Sequence, residues 1–323
     1  MVNNTLRIFT MANRFFEGAA HAAAYARFRP HPPQSLIDNI LSFLKSKYTG
    51  ALAAAADVGC GSGQTTWILA PHFNNVTGLD ISEAQITEAI KKNKANNVSF
   101  KVSGAEKLPF PSQSLQVITT GQACHWFDLP KFYAEVDRVL VPGGVVALYG
   151  YLFPLPIFGE VSDQLAEIVN DTYKNKLKGY IQQGSMEVYL ENYKSEKYSM
   201  AHYEDNIEIR LVYNKETKGY WGDGRQDVDE AYTDPKFIPL YQDFIRNDSH
   251  YTDRDVSVTD LTGYISSWSG FQNYRAQNGD KAASDMLQNF QNRIMSVLGV
   301  STAPEDTQLT LRYKYFIIMG RKP

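Results

Sequence analysis

Apolar positions in the first half of the chain alternate between two spacings, which predicts helices and strands in turn. Over residues 34–47, leucines and isoleucines recur at helical spacing after a proline-rich opening. Short apolar runs follow, with helical segments between them. The predicted helices are 34–47, 64–71, 83–93 and 132–140, the last closed by residues 142–144, and the predicted strands are 76–79, 98–102, 115–120, 145–151 and the second half of 51–58.

The run over residues 51–58 is rich in alanine, so helix propensity alone favours a helix there. The glycines that follow would stop a helix, and this favours a buried parallel strand instead. Strands that alternate with helices over short connections indicate a parallel sheet that helices cover on both faces. The prediction is therefore a doubly wound α/β fold.

The pattern changes after Pro156, where helical spacing and tyrosine-rich segments replace the regular alternation. Since no second glycine loop occurs, we expect one domain, with an N-terminal cap and first helix at 1–50, a core at 51–153, insertions at 154–308 and a last strand at 309–323. The elements predicted in this half are helix 161–177, tyrosine-rich helix and loop 180–203, strand 206–213, helices 259–268 and 282–298, and strand 309–319, while 215–255 stays unassigned.

Composition narrows the class of protein. A hydrophobic content of 43%, 21% charged residues and a net charge of −3 are ordinary for a globular enzyme. No Lys/Arg cluster points to nucleic acid, and no apolar run reaches the roughly 18–20 residues of a membrane helix. Cys60 and Cys124 fit neither a disulfide framework nor a zinc site. We therefore expect a cytoplasmic protein without membrane insertion, nucleic acid or a bound metal.

Three glycines, Gly59, Gly61 and Gly63, lie between a predicted strand and a predicted helix. Without Cβ atoms, such a loop turns sharply and brings its amides close to a ligand, and the helix N-terminus behind it favours an anion. The spacing differs from the dinucleotide pattern G-x-G-x-x-G because Gln64 and Thr66 are not glycines. Alone, the loop is a weak signal for a nucleotide-type ligand.

Asp80 strengthens that signal. It closes the next predicted strand, 17 residues beyond Gly63, where a carboxylate can accept both hydroxyls of a ribose. The alternative is that Asp80 only caps the helix that begins after Ser82.

Four segments in this order resemble the motifs of class I S-adenosylmethionine-dependent methyltransferases, with most similarity to the ubiquinone-biosynthesis and trans-aconitate methyltransferase-like branch. The resemblance covers about the first half of the chain. It implies a seven-stranded sheet with a final antiparallel strand, which 206–213 and 309–319 would supply. The segments are 57–64 (Asp-Val-Gly-Cys-Gly-Ser-Gly-Gln), 79–82 (Leu-Asp-Ile-Ser), 105–110 (Ala-Glu-Lys-Leu-Pro-Phe) and 140–144 (Leu-Val-Pro-Gly-Gly).

The resemblance implies S-adenosylmethionine as cofactor and S-adenosylhomocysteine as its product. Gly104 departs from the family, which often has aspartate there, so either Glu106 or a backbone carbonyl would accept the adenine amine. Gln116, where the family commonly has aspartate, is expected to be structural. The implied cofactor contacts are Gly59, Gly61 and Gly63 with Asp57 for the methionine part, Asp80 for the ribose, Ile81 for the adenine face, Ala105 and Glu106 for the adenine edge, and Gln122 after the fourth strand.

The fourth predicted strand leads into His125 and Trp126, which we expect near the transferred methyl group because ligands bind at the carboxyl ends of such strands. Methyl transfer needs an in-line approach, and a base only for a poorly acidic nucleophile. His125 is therefore a candidate base or hydrogen-bond donor to the acceptor. Alternatively, it is a structural residue bonded to nearby backbone, or an exposed one. Trp126 is predicted to form the pocket wall.

Two further segments resemble parts of the family that border the pocket. In the N-terminal segment, Tyr25 would contact the methionine part, Arg29 would bind a carboxylate and Phe16 would touch the acceptor; a packed tyrosine and a surface arginine are the alternatives. In the second half, Trp268 would border the acceptor, or else belong to the core. Arg321 near the C-terminus is expected to be solvated.

The leading hypothesis is methyl transfer to an oxygen, carboxylate or hydroxyl, of a small-molecule acceptor. Methylation of carbon or nitrogen on a larger lipid or quinone-like acceptor is the alternative within enzymes. A protein that binds the cofactor without turnover is a third reading, while the glycine spacing argues against a dehydrogenase. The sequence does not distinguish a monomer from a dimer.

Overall fold

The computed structural model describes residues 30–177 and 225–323. Helices and strands alternate along its first half, as the sequence predicts. The helices are α1 (Gln34–Lys45), α2 (Gln64–Leu69), α3 (Glu83–Lys92), α4 (Leu129–Val139), α5 (Ser162–Asp171), α6 (Arg225–Asp229), α7 (Val258–Ser266) and α8 (Ser269–Leu298). The strands are β1 (Ala54–Val58), β2 (Asn75–Asp80), β3 (Val98–Val102), β4 (Leu115–Gly121), β5 (Leu140–Tyr151), β6 (Leu155–Ile157), β7 (Asp243–Ser257) and β8 (Gln308–Arg321).

The strands form one sheet in the order β3-β2-β1-β4-β5-β8-β6, with β7 paired to β8 outside this path. Strands β1 to β5 pair in parallel, and β8 runs antiparallel to β5. The predicted α/β fold with a mostly parallel sheet and a final antiparallel strand is confirmed. The described residues contain eight strands: the six that were predicted there, and β6 and β7, which were not.

The order of the sheet reverses beside β1. The chain leaves β1 towards β2 and β3 on one side and returns to β4 on the other. The carboxyl ends of β1 and β4 therefore border a crevice where ligands bind in doubly wound sheets. The glycine loop follows β1 there, and Gln122 follows β4.

The alanine-rich run is a strand, because β1 lies in the middle of the sheet and four of its five residues are buried. Its parallel partners β2 and β4 supply the hydrogen bonds that a helix would have made internally. Gln116 is structural, as expected: its Oε1 accepts a hydrogen bond from the Ala54 N–H at 2.7 Å.

In the first half of the chain, two elements, α4 and β5, begin more than two residues before the predicted position. Helix α4 begins at Leu129 rather than residue 132, because the Asp128 side chain caps its first turn and accepts from the Lys131 N–H. Residues 142–144 were predicted to close this helix, but they belong to β5. The pairing with β4 shifts register across them, from Leu115 opposite Leu140 to Val117 opposite Val145.

Within the second half, the predicted strand 206–213 and the predicted segment 180–203 lie outside the described residues. The unassigned 215–255 stretch contains α6 and most of β7. The long strand β7 was missed because its side chains are mostly polar and few of them are buried, so it lacks the clean alternation that marks a half-buried strand. The short strand β6 was missed as well.

The described residues form two compact units. Unit 1 comprises 30–154, 227–254 and 312–323, and unit 2 comprises 155–177, 225–226 and 255–311. Helices α5, α7 and α8 belong to unit 2, where α8 breaks at Gly279. In that unit, Trp268 is 1% exposed and packs edge-on against Tyr173 and Tyr264. A single domain for the whole chain stays a prediction.

The expectation of a solvated Arg321 is wrong. Its side chain is 4% exposed and lies over the Phe43 ring, 4.3 Å from the guanidinium carbon to the ring centroid. It donates to the Phe43 and Leu44 carbonyls at the end of α1 and pairs with Asp243 at 2.9 Å. A cation at this position satisfies the free carbonyls and offsets the negative end of the helix dipole. Strand β8 is thereby fastened to α1.

Among the described residues, no helix has both the length and the apolar character needed to cross a bilayer.

Candidate functional site

The loop after β1 is fastened to the end of β2. The N–H groups of Gly59 and Cys60 both donate to the Leu79 carbonyl, at 2.7 and 2.9 Å. Gly59 has a φ of +72°, and a Cβ atom there would lie 2.4 Å from the Ala123 Cβ. Glycine is needed at this position for both reasons: the backbone is left-handed, and the segment after β4 packs directly on it.

Gly61, at the tip of the loop, has open space beside it. Its φ is +53°, and a Cβ atom would have only two atoms of the described chain within 4 Å, apart from chain neighbours. Both are side-chain amide oxygens, Gln64 Oε1 and Gln85 Oε1, each at 3.9 Å. A ligand with hydrogen-bond donors would find acceptors here and no steric obstacle.

The Asp80 carboxylate connects three elements. Its Oδ2 accepts from the Gly61 N–H at 2.8 Å, and its Oδ1 accepts from the Ser82 N–H at 2.9 Å, just before α3. Burial raises the pKa of Asp80, and these two hydrogen bonds partly oppose the rise. A third backbone contact, from Ile81, also lowers this pKa, and since a carboxylate has about four acceptor positions, Asp80 can still accept a ribose hydroxyl. Asp80 also helps to fix the start of α3, as the capping alternative predicted, through its hydrogen bond with the Ser82 N–H.

Asp57, the last but one residue of β1, is buried beneath the loop. Its two oxygens accept hydrogen bonds from Thr66 Oγ1 at 2.7 Å and Thr119 Oγ1 at 2.9 Å. Burial raises the pKa of Asp57 to about 6, the two threonines lower it, and the nearby Asp80 adds to the rise. Ionisation of the Asp57 carboxyl group beneath the loop is therefore energetically unfavourable.

A cleft opens at the carboxyl ends of β1, β4 and β5. The space within it is about 510 Å³, which includes solvent at its open mouth. Among the predicted site residues, it brings together Asp57, Gly59, Gly61 and Gln122. Its other lining residues are Pro30, Pro32, Cys60, Gln64, Thr65, Gly121, Tyr149, Tyr151 and Tyr315.

Three tyrosines form one wall of the cleft, and sequence reasoning missed them. The buried hydroxyl of Tyr149 is hydrogen-bonded to Thr65 Oγ1. The hydroxyl of Tyr315 donates to the His31 carbonyl at 3.0 Å, and its ring contacts Tyr151, with centroids 5.5 Å apart. Tyr149 and Tyr151 could have been found, because both lie at the carboxyl end of a predicted strand. Tyr315 could not, since it joins them through the antiparallel register of β8.

Gln122 takes a left-handed backbone conformation, with a φ of +53°, which is uncommon for a residue with a side chain. Its amide lies against β5: Oε1 accepts from the Tyr151 N–H at 2.9 Å. A Cβ at Gly150 would lie 2.5 Å from this oxygen. Such local strain is typical of functional sites, and here the side chain holds the ends of β4 and β5 together.

On the predicted adenine side, Ile81 is 54% exposed and Ala105 is buried. Glu106 Oε1 accepts from the Asp128 N–H at 3.0 Å, and its Oε2 lies 3.2 Å from where a Cβ of Gly104 would be. The Glu106 carboxylate thus occupies space beside the position where the family often has an aspartate. A carboxylate is present at this edge although residue 104 has no side chain.

His125 lies in a short 3-10 turn, Cys124–Trp126, after β4. Its Nδ1 is hydrogen-bonded to Tyr232 Oη at 2.7 Å. The backbone at Tyr232 and at Ala231 is left-handed, with φ values of +55° and +53°, which is a strained conformation for a bulky residue. The predicted structural alternative was a bond to nearby backbone, but the partner is a side chain 107 residues away. No local pattern in the sequence could have indicated it.

The remaining predicted residues are not brought into the cleft. Asp80, Ile81, Gly63, Ala105, Glu106, His125 and Trp126 lie in unit 1 but are not among the residues that line it. Trp268 belongs to the core of unit 2, which favours the packing alternative. Phe16, Tyr25 and Arg29 lie outside the described residues. Within the described ranges, no three metal-ligating side chains cluster together.

Comparison with known proteins gives consistent results. Residues 56–148 match a family model described as a methyltransferase domain. A Dictyostelium discoideum protein assigned as a methyltransferase is 30% identical over 80% of this chain and 78% of its own length. A Saccharomyces cerevisiae protein assigned as an S-adenosylmethionine-dependent methyltransferase is 27% identical over 52% of this chain and 60% of its own. A solved structure assigned as a type II methyltransferase from Anaeromyxobacter dehalogenans superposes with a TM-score of 0.63 at 25% identity, covering 91% of this chain and 98% of that one.

The raised pKa of Asp57 predicts an effect on stability. The folded state holds this proton up to about pH 6, whereas the ordinary value is 3.8, so ionised Asp57 destabilises the fold as pH rises through this window. We expect Asp57→Asn to increase the free energy of unfolding at pH 7 by about 1–3 kcal/mol. Its advantage over the parent should vanish near pH 4. Urea denaturation at both pH values measures this.

Asp163→Asn is the matched control, because Asp163 is exposed at the start of α5. It should show no comparable gain at pH 7. A loss of stability in Asp57→Asn at pH 7 would mean that the ionised carboxylate stabilises the loop.

Proposed function

Because this chain belongs to the class I S-adenosylmethionine-dependent methyltransferases, we propose that it methylates an oxygen of a small-molecule acceptor, and that this oxygen belongs to a carboxylate. The methyl donor is S-adenosylmethionine. When bound, it supplies a methyl group on a positively charged sulfur that a nucleophile can attack in line. The protein contributes by binding the donor, aligning the acceptor and excluding water.

The described residues fit this donor. The open space at Gly61 and the two amide oxygens beside it suit a ligand rich in hydrogen-bond donors. We assign the methionine part to the glycine loop over Asp57, the ribose to Asp80, and the adenine to Ile81, Ala105 and Glu106. Tyrosine faces along the cleft offer favourable contacts to a cation.

The chemistry of the cleft lining supports an acceptor that is already an anion. Among the described lining residues there is no histidine, lysine or arginine, and the one carboxyl group, Asp57, is occupied by two threonines. Burial raises the pKa of the Cys60 thiol and the Tyr149 phenol, so neither is a base at neutral pH. A hydroxyl acceptor, or an amine that is protonated at pH 7, would need a base in this place. A carboxylate does not, because it is ionised at pH 7.

His125 does not line the cleft, but it follows three residues after Gln122, which does, and we assign it to holding the carboxylate oxygen that is not methylated. The Tyr232 hydroxyl also interacts with the buried thiol of Cys124. We assign to His125 the tautomer in which Tyr232 Oη donates to Nδ1, so that the ring carries its proton on Nε2 and can donate a hydrogen bond there. Trp126, which is 40% exposed, would supply the adjacent wall.

The type of product tests the proposal. The purified enzyme, incubated with cell metabolites and S-adenosylmethionine labelled in its methyl group, should transfer label to small molecules. A methyl ester releases volatile labelled methanol in mild alkali, whereas ethers and methyl groups on nitrogen or carbon do not. We expect most of the transferred label to be released. Alkali-stable label would contradict a carboxylate acceptor, and no transfer to any metabolite would support cofactor binding without turnover.

For His125, we expect His125→Ala to lower kcat by about 10- to 100-fold, because a misaligned acceptor loses its in-line geometry. Its affinity for S-adenosylhomocysteine should change less than twofold, since His125 is not assigned to the cofactor. Single-turnover kinetics and calorimetry measure the two quantities.

His125→Gln is the matched variant, because a glutamine amide can donate from a similar position. Partial recovery of kcat supports a donor, and no recovery supports a base. Unchanged kcat in His125→Ala would leave His125 with a structural role only.

A further inference from the structure

The side chain of Gln85 is a buried polar group without a partner. It lies in the first turn of α3 and is 3% exposed. Its Oε1 has no hydrogen-bond partner among the described residues. Leaving such an acceptor unpaired typically costs about 1–3 kcal/mol. An apolar side chain would avoid that cost in this buried position, so the glutamine calls for an explanation.

Gln85 does not make the hydrogen bond that its position in the sequence predicts. Ser82-x-x-Gln85 is the pattern of a capping box, in which the glutamine side chain accepts from the N–H of the capping serine. The serine half is present: Ser82 Oγ accepts from the Gln85 N–H at 3.3 Å. The Ser82 N–H, however, donates to Asp80 Oδ1 at 2.9 Å.

A complete capping box elsewhere in the chain shows the contrast. At the start of α7, Ser257 and Asp260 bond to each other in both directions. At α3, Asp80 has replaced the third-position side chain. The Gln85 amide is therefore free for another partner.

That amide faces the cofactor loop. Gln85 Oε1 lies 3.9 Å from where a Cβ of Gly61 would be, and the Gly61 N–H is the group that Asp80 Oδ2 binds at 2.8 Å. Asp80 and Gln85 thus present acceptor oxygens around the same residue of the loop. Two acceptors in one place match a ligand that presents two neighbouring hydroxyls.

We propose that Gln85 is a cofactor-binding residue, whose Oε1 accepts a hydrogen bond from a ribose hydroxyl of S-adenosylmethionine beside the one held by Asp80. The free protein carries the unpaired acceptor, and the bound cofactor supplies its donor. Gln85 therefore contributes to affinity at the expense of stability. The ammonium group of the methionine part is the other donor on this ligand that could reach the loop.

The test uses Gln85→Met, which keeps the length of the side chain and removes its acceptor. Two ligands separate the two donors. S-adenosylhomocysteine carries both the ribose and the ammonium group, whereas 5′-methylthioadenosine carries the ribose alone. We expect about a three- to tenfold weaker affinity for both ligands by calorimetry. The Tm of the free protein should be equal to that of the parent or higher.

Gln288→Met, on the exposed surface of α8, controls for the substitution itself and should change neither quantity. If Gln85→Met does not fold, Gln85→Leu takes its place. Weaker binding of S-adenosylhomocysteine alone would assign Gln85 to the ammonium group and overturn the ribose contact. Unchanged affinity for both ligands, or a lower Tm with unchanged affinity, would overturn the proposal and make Gln85 a structural residue.

Discussion

The carboxylate of Asp80 is the interaction on which the candidate site depends. It ends β2, holds the Gly61 N–H at the tip of the glycine loop and holds the Ser82 N–H at the start of α3. One partly buried carboxylate thus fixes a strand, a loop and a helix relative to each other. The same bond to Ser82 leaves Gln85 without its usual partner. The shape of the loop and the acceptors around it follow from this one side chain.

The site is built from groups that are unfavourable in the free protein. Asp57 is buried and Asp80 is partly buried, both have raised pKa values, Gln85 has an unpaired oxygen, and Gln122 has a strained backbone. A core optimised for stability alone would contain none of these. Asp57 and Gln122 line the cleft, and Asp80 and Gln85 lie beside Gly61 of the glycine loop. Such groups fit a cofactor site, since ligands interact with groups that the fold itself leaves unsatisfied.

The parts of the fold that could be predicted rest on local patterns. Strands β1 to β5, the glycine loop and Asp80 follow from residues close together in sequence, and even the alanine-rich β1 was identified from the glycines after it. The boundary of α4 was misplaced because the Asp128 cap was overlooked. By contrast, Tyr315 beside Tyr151, Tyr232 on His125, and Arg321 at the end of α1 join residues more than 100 positions apart. These pairs form only because of how β8 pairs in the sheet and where residues 225–243 lie in the fold.

The difference between local patterns and contacts of distant residues also explains why the methyl donor is better defined than the methyl acceptor. The donor site is made of consecutive motifs in the first half of the chain, and their order identified the cofactor. The acceptor side depends on tyrosines and histidine contacts that come from distant segments. The absence of a base among the described lining residues is the most informative observation about the acceptor, and it favours a carboxylate.

The most direct test of the central claim is calorimetry of cofactor binding to the parent protein and to Asp80→Ala. We expect the parent to bind S-adenosylhomocysteine and not NADH. Asp80→Ala should weaken binding by about 1–3 kcal/mol, because the ribose loses its acceptor and the loop loses its anchor. Binding of NADH but not S-adenosylhomocysteine, or an unchanged affinity in Asp80→Ala, would contradict this account.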